Sequence, residues 1–494
     1  MATPPLDRRA EPHRGVAAAL RGFGLLAGAN IIGQVLGFAA LAIVARRIGA
    51  PALGNYNFAV ALASYFGLLA SAGVGYVAAR DVTLEPGRIS TVISESLTLQ
   101  GIGAAAAYLL LVVASHWIAP NIQARPLLPI AGLALVASAL TLDWVLLALG
   151  SRVPVATARV AGQVVYAALV PILVAGGSGV STYAWLNILG LVVTGVIVGG
   201  VLRHRRLWRF AAPNPKALVS RVRRSTAIAY SLAMIQLYST TDVLLLGYLA
   251  DSRDLGLYAV ANRLPYSLVA FANLWIQAFF PHAATTIRDD PARFHSDVSR
   301  VLTAATVVAL ALASAAAVFP TRLMGSLFGH AFRAAGQPFE VLAAAMALVL
   351  IEAVLSNILI ASSHDRRYAQ IVTAAAFVNV GLNLILIPSL AATGSAVATL
   401  VTEGLLVAMT VVAVRPIVGI PRLDAARLVR GVGAVVLMCS VMIALAPSSV
   451  WLAIAGGAVV FVVACAGLRV FDPDLWRHRA SDSGAETPSS PPEV

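Results

Sequence analysis

The sequence has little charge and almost no cysteine. Of its 494 residues, 12% are charged and 59% are hydrophobic, whereas a soluble domain carries about 25% charged residues. A chain of this composition cannot cover itself with solvated side chains, which excludes a soluble globular protein. The two cysteines, Cys439 and Cys465, both lie in apolar segments and form no disulfide or metal pattern.

The sequence also lacks the motifs of nucleotide-driven transport and of catalysis. A Gly-x-x-x-x-Gly-Lys-Ser/Thr phosphate-binding loop is absent, so any energy for transport comes from an ion gradient or from the substrate itself. A Gly-x-Ser-x-Gly elbow is absent too, and the eight histidines lie in loops or at segment ends without metal-ligand spacing. We therefore predict a protein that is not an enzyme, with no catalytic residue, no metal and no cofactor.

Long apolar segments dominate what is present. Membrane helices need about 20 apolar residues and tolerate scattered Gly and Pro, whereas transmembrane strands are about 10 residues long. The pattern predicts an all-α integral membrane protein with about 14 transmembrane helices. The segments lie near 22–45, 55–79, 91–115, 126–149, 153–175, 181–202, 226–250, 256–280, 301–319, 338–361, 368–388, 392–414, 428–447 and 450–469.

Two similar hairpins occur 202 residues apart. Gln34, the pair Leu53-Gly54 and Tyr56 recur as Gln236, Leu255-Gly256 and Tyr258. Each copy is a hydrophobic hairpin whose turn ends in Leu-Gly-x-Tyr. A matching pair of hairpins in the two halves of a membrane chain indicates a duplicated transporter.

The longest loop between apolar segments separates six segments from eight. Residues 217–224 in this loop fit either a short amphipathic helix on an anionic leaflet or a plain connection between two bundles, and we favour the connection. The predicted organisation is an N-terminal segment 1–21, a six-helix bundle 22–202, a basic linker 203–225, a second six-helix bundle 226–414, two extra helices within 428–469 and a disordered tail 470–494.

Lysine and arginine are distributed unequally between the two sides of this topology. One side holds 28 of the 35 basic residues and the other holds six. Because basic loops stay in the cytoplasm, we predict a multi-pass protein of the plasma (inner) membrane with both termini cytoplasmic. Membrane topology thus explains the net charge of +13, and we expect no nucleic-acid partner.

Ionisable residues inside apolar segments are candidate cavity residues. A charge at the helix centre costs about 2.5–3.5 kcal/mol on insertion scales and normally faces a cavity or a partner. For Asp143 we favour a side chain that extends back to the membrane interface. Asp242 and Arg263 belong to adjacent segments, where they either line a cavity or form a structural ion pair, and Glu352 and Glu403 lie near the centres of their segments.

Cationic and amide side chains complete the set of candidates. Arg46 and Arg47 lie on the side with few basic residues and, with Arg263, suit a pyrophosphate, because arginine binds phosphate oxygens in a bidentate manner. Alternatively, Arg46 and Arg47 extend to lipid headgroups. Amide groups offer hydrogen bonds either to sugar hydroxyls or between helices; these are Asn30, Gln34, Gln236, Asn262 and Asn357.

Both hairpins resemble a known family. The stretch Ala45-Arg-Arg-Ile-Gly49-Ala-Pro-Ala-Leu53-Gly54-Asn-Tyr56 resembles the opening of the polysaccharide-transport branch of the multidrug/oligosaccharidyl-lipid/polysaccharide (MOP) flippase superfamily. In that branch an Ala-Arg, Gly, Gly-x-Tyr turn follows the first helix. The stretch from Asp242-Val-Leu-Leu-Leu-Gly247 through Gly256-Leu-Tyr258 to Phe280-Pro281 resembles the seventh and eighth helices of the same family.

The resemblance implies a fold, a function and partners. The implied MATE/MOP-like fold has two pseudo-symmetric six-helix bundles, with two extra C-terminal helices in some members. The implied function is translocation of a polyprenyl-pyrophosphate-linked oligosaccharide repeat unit from the inner to the outer leaflet by alternating access, for O-antigen, capsule or exopolysaccharide. Expected partners are this lipid-linked substrate, membrane lipids, and a polymerase with its export machinery.

Two other functions in the superfamily stay open. One is a lipid II flippase for peptidoglycan, which also has fourteen helices. The other is a cation-coupled multidrug antiporter, in which Asp242 or Glu352 would be the coupling acid. The positive groups at Arg46, Arg47 and Arg263 disfavour a cationic drug.

Overall fold

The structure is a computed structural model that describes residues 12–71, 73–174, 179–209, 211–267, 291–419 and 422–471. In this part of the chain every regular element is a helix. The helices are α1 (Pro12–Ser71), α2 (Val74–Leu84), α3 (Ile89–Ile118), α4 (Leu127–Ala139), α5 (Asp143–Ala148), α6 (Arg152–Leu173), α7 (Gly179–His204), α8 (Pro215–Leu249), α9 (252–267), α10 (Pro291–Val318), α11 (Pro320–Phe328), α12 (Gly336–Ala361), α13 (Asp365–Val418), α14 (Ala425–Leu445) and α15 (Val450–Gly467).

Two of these helices are long enough for two membrane spans each. Helix α1 has 60 residues and is kinked at Gly49, whose φ of 78° favours glycine because it lies in the left-handed region. Helix α13 has 54 residues and is kinked at Ala391, where φ is 46°. Both kinks lie between predicted segments, 22–45 and 55–79 in the first case and 368–388 and 392–414 in the second.

The predicted number of spans agrees with the helices. Eleven helices in the described part of the chain are long and apolar enough to cross a membrane. Since α1 and α13 each contain two predicted segments, these helices account for 13 of the 14. The remaining segment, 256–280, begins in α9 and continues beyond the described residues. The Phe280-Pro281 pair and the predicted tail from residue 472 onward also lie outside the described residues. The all-α membrane fold is therefore confirmed.

Two predicted segments are interrupted rather than continuous. Segment 126–149 consists of α4 and α5, which are separated by three residues. The first part of segment 55–79 belongs to α1, which ends at Ser71, and the second part belongs to α2, which begins after Gly73. The φ of Gly73 is 70°. At Gly73 a Cβ would lie only 2.9 Å from the Ile228 side chain, so close packing against α8 also requires glycine there.

The chain divides into two compact units. Unit 1 holds the described residues up to Ala259, together with Leu327–Ala331 and Ile387–Ala392, and unit 2 holds the rest. In unit 1, α1 packs against α3, α4, α6 and α8, and α6 packs against α7. In unit 2, α10 packs against α12 and α14, and α14 packs against α15. The predicted bundle limits, 22–202 and 226–414, stay a prediction.

Helix α8 is fixed to unit 1 by a buried arginine. Arg221 is 3% exposed, and its guanidinium lies 2.7 Å from Glu95 and 2.9 Å from Asp81. Arg224 binds both carboxylate oxygens of Asp81 at 2.9 Å. Residues 217–224 therefore belong to α8 and contact α2 and α3. They form neither a separate amphipathic helix nor the plain connection that we favoured from the sequence.

Candidate functional site

The two Leu-Gly-x-Tyr sequences were predicted to end turns, but they are helical: the first follows the kink of α1 and the second lies in the first turns of α9. They contact one another inside unit 1, and we call them the first and second turns. A Cβ added to Gly54 would overlap the carbonyl oxygen of Ser252 and lie 2.9 Å from the amide nitrogen of Gly256. A Cβ added to Gly256 would overlap the carbonyl oxygen of Ala50. Glycine is therefore required at both positions, because a side chain would overlap backbone atoms of the other turn.

A third glycine continues this close packing along α8. A Cβ on Gly247 would overlap the ring of Phe58. The same ring packs edge to face on Tyr248, with 5.2 Å between ring centroids, and the Tyr248 hydroxyl donates to the carbonyl oxygen of Ile118 at 2.7 Å. The end of α8 that is nearest the turn therefore lies tightly on α1 and on the end of α3.

A polar cluster surrounds the paired turns. Asn55, 3% exposed, accepts hydrogen bonds at its Oδ1 from Ser252 Oγ and from Asn121 Nδ2, both at 2.9 Å. Asn121 Nδ2 also lies 3.0 Å from Ser252 Oγ. The Asn55 Nδ2 atom donates to Gln123 Oε1 at 3.3 Å. We name Asn55, Asn121, Gln123 and Ser252 the turn cluster; it joins the first turn, the α3–α4 loop and the second turn.

Asp242 is a buried acid with neutral partners. Its carboxylate, in a residue that is 8% exposed, accepts hydrogen bonds from the Tyr258 hydroxyl and from the backbone N–H of Val243. Tyr258, the tyrosine of the second turn, therefore ties α9 to α8. Its counterpart in the first turn, Tyr56, packs edge to face on Tyr183 at 4.8 Å between centroids. Arg263 has an exposed side chain on α9.

The two adjacent arginines bind backbone carbonyl groups. Arg47 Nη1 donates to the carbonyl oxygens of Pro171 at 2.6 Å and Val174 at 2.7 Å, which satisfies orphan carbonyls at the end of α6. Arg46 Nε donates to the carbonyl oxygen of Leu327 at 3.1 Å. Both side chains are also exposed, and an arginine has five N–H donors. Both arginines therefore bind the protein backbone and still have N–H donors for another partner.

The predicted amide residues divide into two groups. Gln236 Nε2 donates to Ser64 Oγ at 2.6 Å and to Thr240 Oγ1 at 2.7 Å, which links α8 to α1. Asn357 Nδ2 donates to the Ala353 carbonyl of its own helix at 2.6 Å. Asn30 is exposed and Gln34 is half-buried. The buried Oδ1 of Asn262 has no hydrogen-bond partner among the residues that the structure describes.

Unit 2 brings both predicted glutamates to one tyrosine. Glu352 and Glu403 are buried, and Tyr368 lies within electrostatic reach of both carboxylates. The Tyr368 side chain lies close to the Glu352 carboxyl group, and among the described residues the Oε1 atom of Glu352 has no hydrogen-bond partner. Among the described residues, no group of three or more His, Cys, Asp and Glu side chains could hold a metal ion.

Sequence reasoning missed several buried polar groups. Glu95 and Arg221 lie in segments assigned to a helix start and to a basic linker. The turn cluster combines two helical residues, Asn55 and Ser252, with two residues of the α3–α4 loop, and no periodic pattern connects them. Tyr368 had no signal beyond its place at the start of a span. Asp143 forms an ion pair with Arg159, a partner that was not predicted from the sequence.

Comparison with known proteins gives matches at the levels of family and fold. The family model described as "Polysaccharide biosynthesis protein" matches residues 19–286, which is more than half of the chain. A Haloferax volcanii protein named "Probable low-salt glycan biosynthesis flippase Agl15" is 25% identical over 163 residues. That match spans 33% of this chain and 34% of the relative, so it covers about a third of the relative's length.

Solved structures share the fold at low sequence identity. The lipid II flippase MurJ in an inward closed conformation has a TM-score of 0.69 and 13% identity, over 89% of this chain and 97% of that one. An inward-facing multidrug resistance MATE family transporter of the MOP superfamily has a TM-score of 0.64 and 14% identity, over 82% of this chain and 94% of that one. The chain therefore belongs to the polysaccharide biosynthesis protein family, as the resemblance of its two hairpins predicted, and has the fold of the MOP superfamily.

Proposed function

We propose that this protein is a flippase that moves a polyprenyl-pyrophosphate-linked oligosaccharide repeat unit from the inner to the outer leaflet. The observation that carries the proposal is the family match over residues 19–286 on a chain with the fold of membrane transporters. The name of the Haloferax relative, a glycan biosynthesis flippase, supports the same substrate class. The product would enter a surface polysaccharide such as O-antigen, capsule or exopolysaccharide.

The distribution of charge supports the proposed topology. With 28 basic residues on one side against six on the other, both termini would be cytoplasmic in the inner membrane. Under this assignment the paired turns and Arg46 and Arg47 lie on the outer side. The substrate would then enter from the side that holds Arg221 and leave past the turns.

Exposed cations and amides would bind the lipid-linked headgroup. Arg46, Arg47 and Arg263 each have an exposed guanidinium, which suits the pyrophosphate. Asn30, Gln34 and the Oδ1 of Asn262, which has no partner within the described part of the chain, suit sugar hydroxyls. Gln236 and Asn357 would act indirectly, since their amides already bond within and between helices.

The buried acids favour an antiporter-type function as the second candidate. Glu352, Glu403 and Asp242 are buried in the apolar helices that would carry ion coupling. Such groups normally have a functional partner, because charge in the membrane is costly. Coupling of this kind is compatible with either an oligosaccharide or a drug as cargo.

Lipid analysis of a deletion strain distinguishes these functions. We expect a polyprenyl-pyrophosphate oligosaccharide to accumulate on the inner leaflet, with surface polysaccharide lost and growth intact. Accumulated lipid II with lysis would instead assign the protein to peptidoglycan synthesis. Unchanged lipids together with new drug sensitivity would assign it to drug efflux. Interaction with a polymerase and export machinery would be tested by co-purification from the complemented strain.

A further inference from the structure

We infer that the inner end of α7 binds an anionic phospholipid, with the phosphate held by Arg203, Arg206 and Arg209 and an acyl chain lying along the exposed face of the helix. The end called inner is the one that the proposed topology assigns to the cytoplasm. Such a site is separate from the transported cargo, and it depends on the proposed function only for which side of the membrane is called inner.

Arg206 occupies a backbone position that normally belongs to glycine. Its φ of 56° lies in the left-handed region, where a Cβ is strained. Helix α7 ends there in a Schellman motif, in which the N–H of Leu207 bonds to the carbonyl oxygen of Leu202 at 3.0 Å. The equivalent position after α5 is Gly150, with a φ of 71°. An arginine in place of glycine indicates that its side chain has a purpose that the helix end itself does not require.

The loop that carries these arginines is fixed to unit 1. Leu207 and Trp208 pack against the hydrophobic cluster that contains Leu202, a contact that commonly accompanies this kind of helix end. Ser90 on α3 accepts a hydrogen bond at its Oγ from the backbone N–H of Arg209 at 2.8 Å and donates to the carbonyl oxygen of the same residue. The backbone is therefore held in place while the three guanidinium groups stay exposed.

The acids on this side of unit 1 cannot serve as partners, because other arginines already bind them. Each of the described inner-side acids of the unit has such a partner; the pairs are Asp81–Arg221, Glu95–Arg221, Glu85–Arg88 and Asp143–Arg159. By contrast, no described residue forms a hydrogen bond or an ion pair with the side chain of Arg203, Arg206 or Arg209. These cations are therefore available to an anion from outside the described chain.

One exposed face of α7 leads directly to these cations. Exposed residues recur along it every three or four positions, which places them on one side of a helix; they are Trp185, Leu189, Val192, Val196, Gly200 and Arg203. A face that is apolar up to a terminal arginine matches a phospholipid, because the acyl chain meets the apolar part and the phosphate meets the cation. A nucleic acid or an acidic peptide would match the charge but not the apolar face.

Lipid titration of the purified full-length protein tests this site. The protein in a non-ionic detergent receives short-chain phosphatidylglycerol, or phosphatidylcholine of the same chain length as the neutral control. Affinity is obtained from the rise in melting temperature with lipid concentration, since a ligand that binds the folded state stabilises it. We expect only phosphatidylglycerol to raise the melting temperature. Arg206→Gly should weaken its affinity about fivefold, and adding Arg203→Gln and Arg209→Gln should weaken it further.

The change Arg206→Gly separates lipid binding from folding. Because glycine is preferred at this position, the melting temperature without lipid should stay the same or rise. Ser363→Gly is the matched control, since Ser363 has a φ of 59° in the same motif after α12, where the N–H of His364 bonds to the carbonyl oxygen of Leu359 at 2.8 Å. This control should bind phosphatidylglycerol like the parent protein.

Four results would overturn the lipid site. Equal phosphatidylglycerol affinity of the parent and Arg206→Gly proteins would show that the arginine does not bind the lipid, and an equal effect of phosphatidylcholine would show that charge is not recognised. A lower melting temperature of Arg206→Gly without lipid would assign the arginine to the helix end. Stabilisation by geranylgeranyl pyrophosphate in place of phosphatidylglycerol would assign the arginines to the lipid-linked substrate. The proposed function is tested separately, by the lipids of the deletion strain.

Discussion

Gly54 and Gly256, which occupy equivalent positions of two repeats, meet with no side chain between them. The amide nitrogen of Gly256 lies 2.9 Å from where a Cβ of Gly54 would be. Sequence comparison of the two halves finds the pair, and the structure gives the reason for it: each glycine leaves room for a carbonyl oxygen of the other turn.

Alanine at either glycine should impair export. Gly54→Ala or Gly256→Ala forces the turns apart, at a cost of about 1–3 kcal/mol for overpacking. We expect surface polysaccharide to fall severalfold at normal membrane expression. Gly101→Ala is the matched control, because no atom of the described residues lies within 4 Å of a Cβ there. Normal export by both turn variants would contradict the tight contact.

Removing one hydroxyl group tests the partner of Asp242. Tyr258→Phe keeps the ring in the core but removes the donor to a buried carboxylate, which costs about 1.5–3 kcal/mol for a hydrogen bond to a charged group. We expect a lower melting temperature in detergent and weaker export. Tyr76→Phe, at an exposed position, should change neither. An unchanged melting temperature for Tyr258→Phe would mean that Asp242 has another partner.

The fold class was predictable because the membrane leaves the backbone few options. A segment of about 20 apolar residues must satisfy its own hydrogen bonds, and a helix does so. The same reasoning could not find Arg221 and Glu95, which are 126 residues apart in sequence. Arg221 was assigned to the basic linker 203–225 because it lies in a run of basic residues between two apolar segments. Its burial depends on how α8 packs against α3, which no local pattern encodes.

The residues of the candidate site were also predictable only in part. Glu352 and Glu403 were predictable from the cost of intramembrane charge, whereas Tyr368, which lies close to both, was not. The amide of Gln236 was predicted with two possible roles, and its bonds to Ser64 and Thr240 favour helix-to-helix bonding. Sequence therefore identified unusual residues, and tertiary packing decided their partners.

Breaking the buried ion pairs at the start of α8 should destabilise the protein. Arg221→Met leaves Glu95 and part of Asp81 without their cation, and removing one partner of a buried pair costs about 3–5 kcal/mol. We expect loss of folded protein in size-exclusion chromatography. Arg221→Met with Glu95→Met should recover part of it, because the uncompensated charge is gone. Arg223→Met is the control, since Arg223 is exposed. A stable Arg221→Met variant would contradict the ionic attachment of α8.

Two arginines should differ in what their removal affects. Arg47→Gln removes the donor that caps the end of α6, so it should lower the melting temperature as well as export. Arg263→Ala removes an exposed charge, so it should reduce export at unchanged stability if Arg263 binds the pyrophosphate.

Asp242→Ala should impair export without preventing membrane insertion. Thermal unfolding and surface polysaccharide are measured for each variant. If Asp242→Ala and Arg263→Ala both export normally at normal expression, the assignment of these residues to the cavity is wrong.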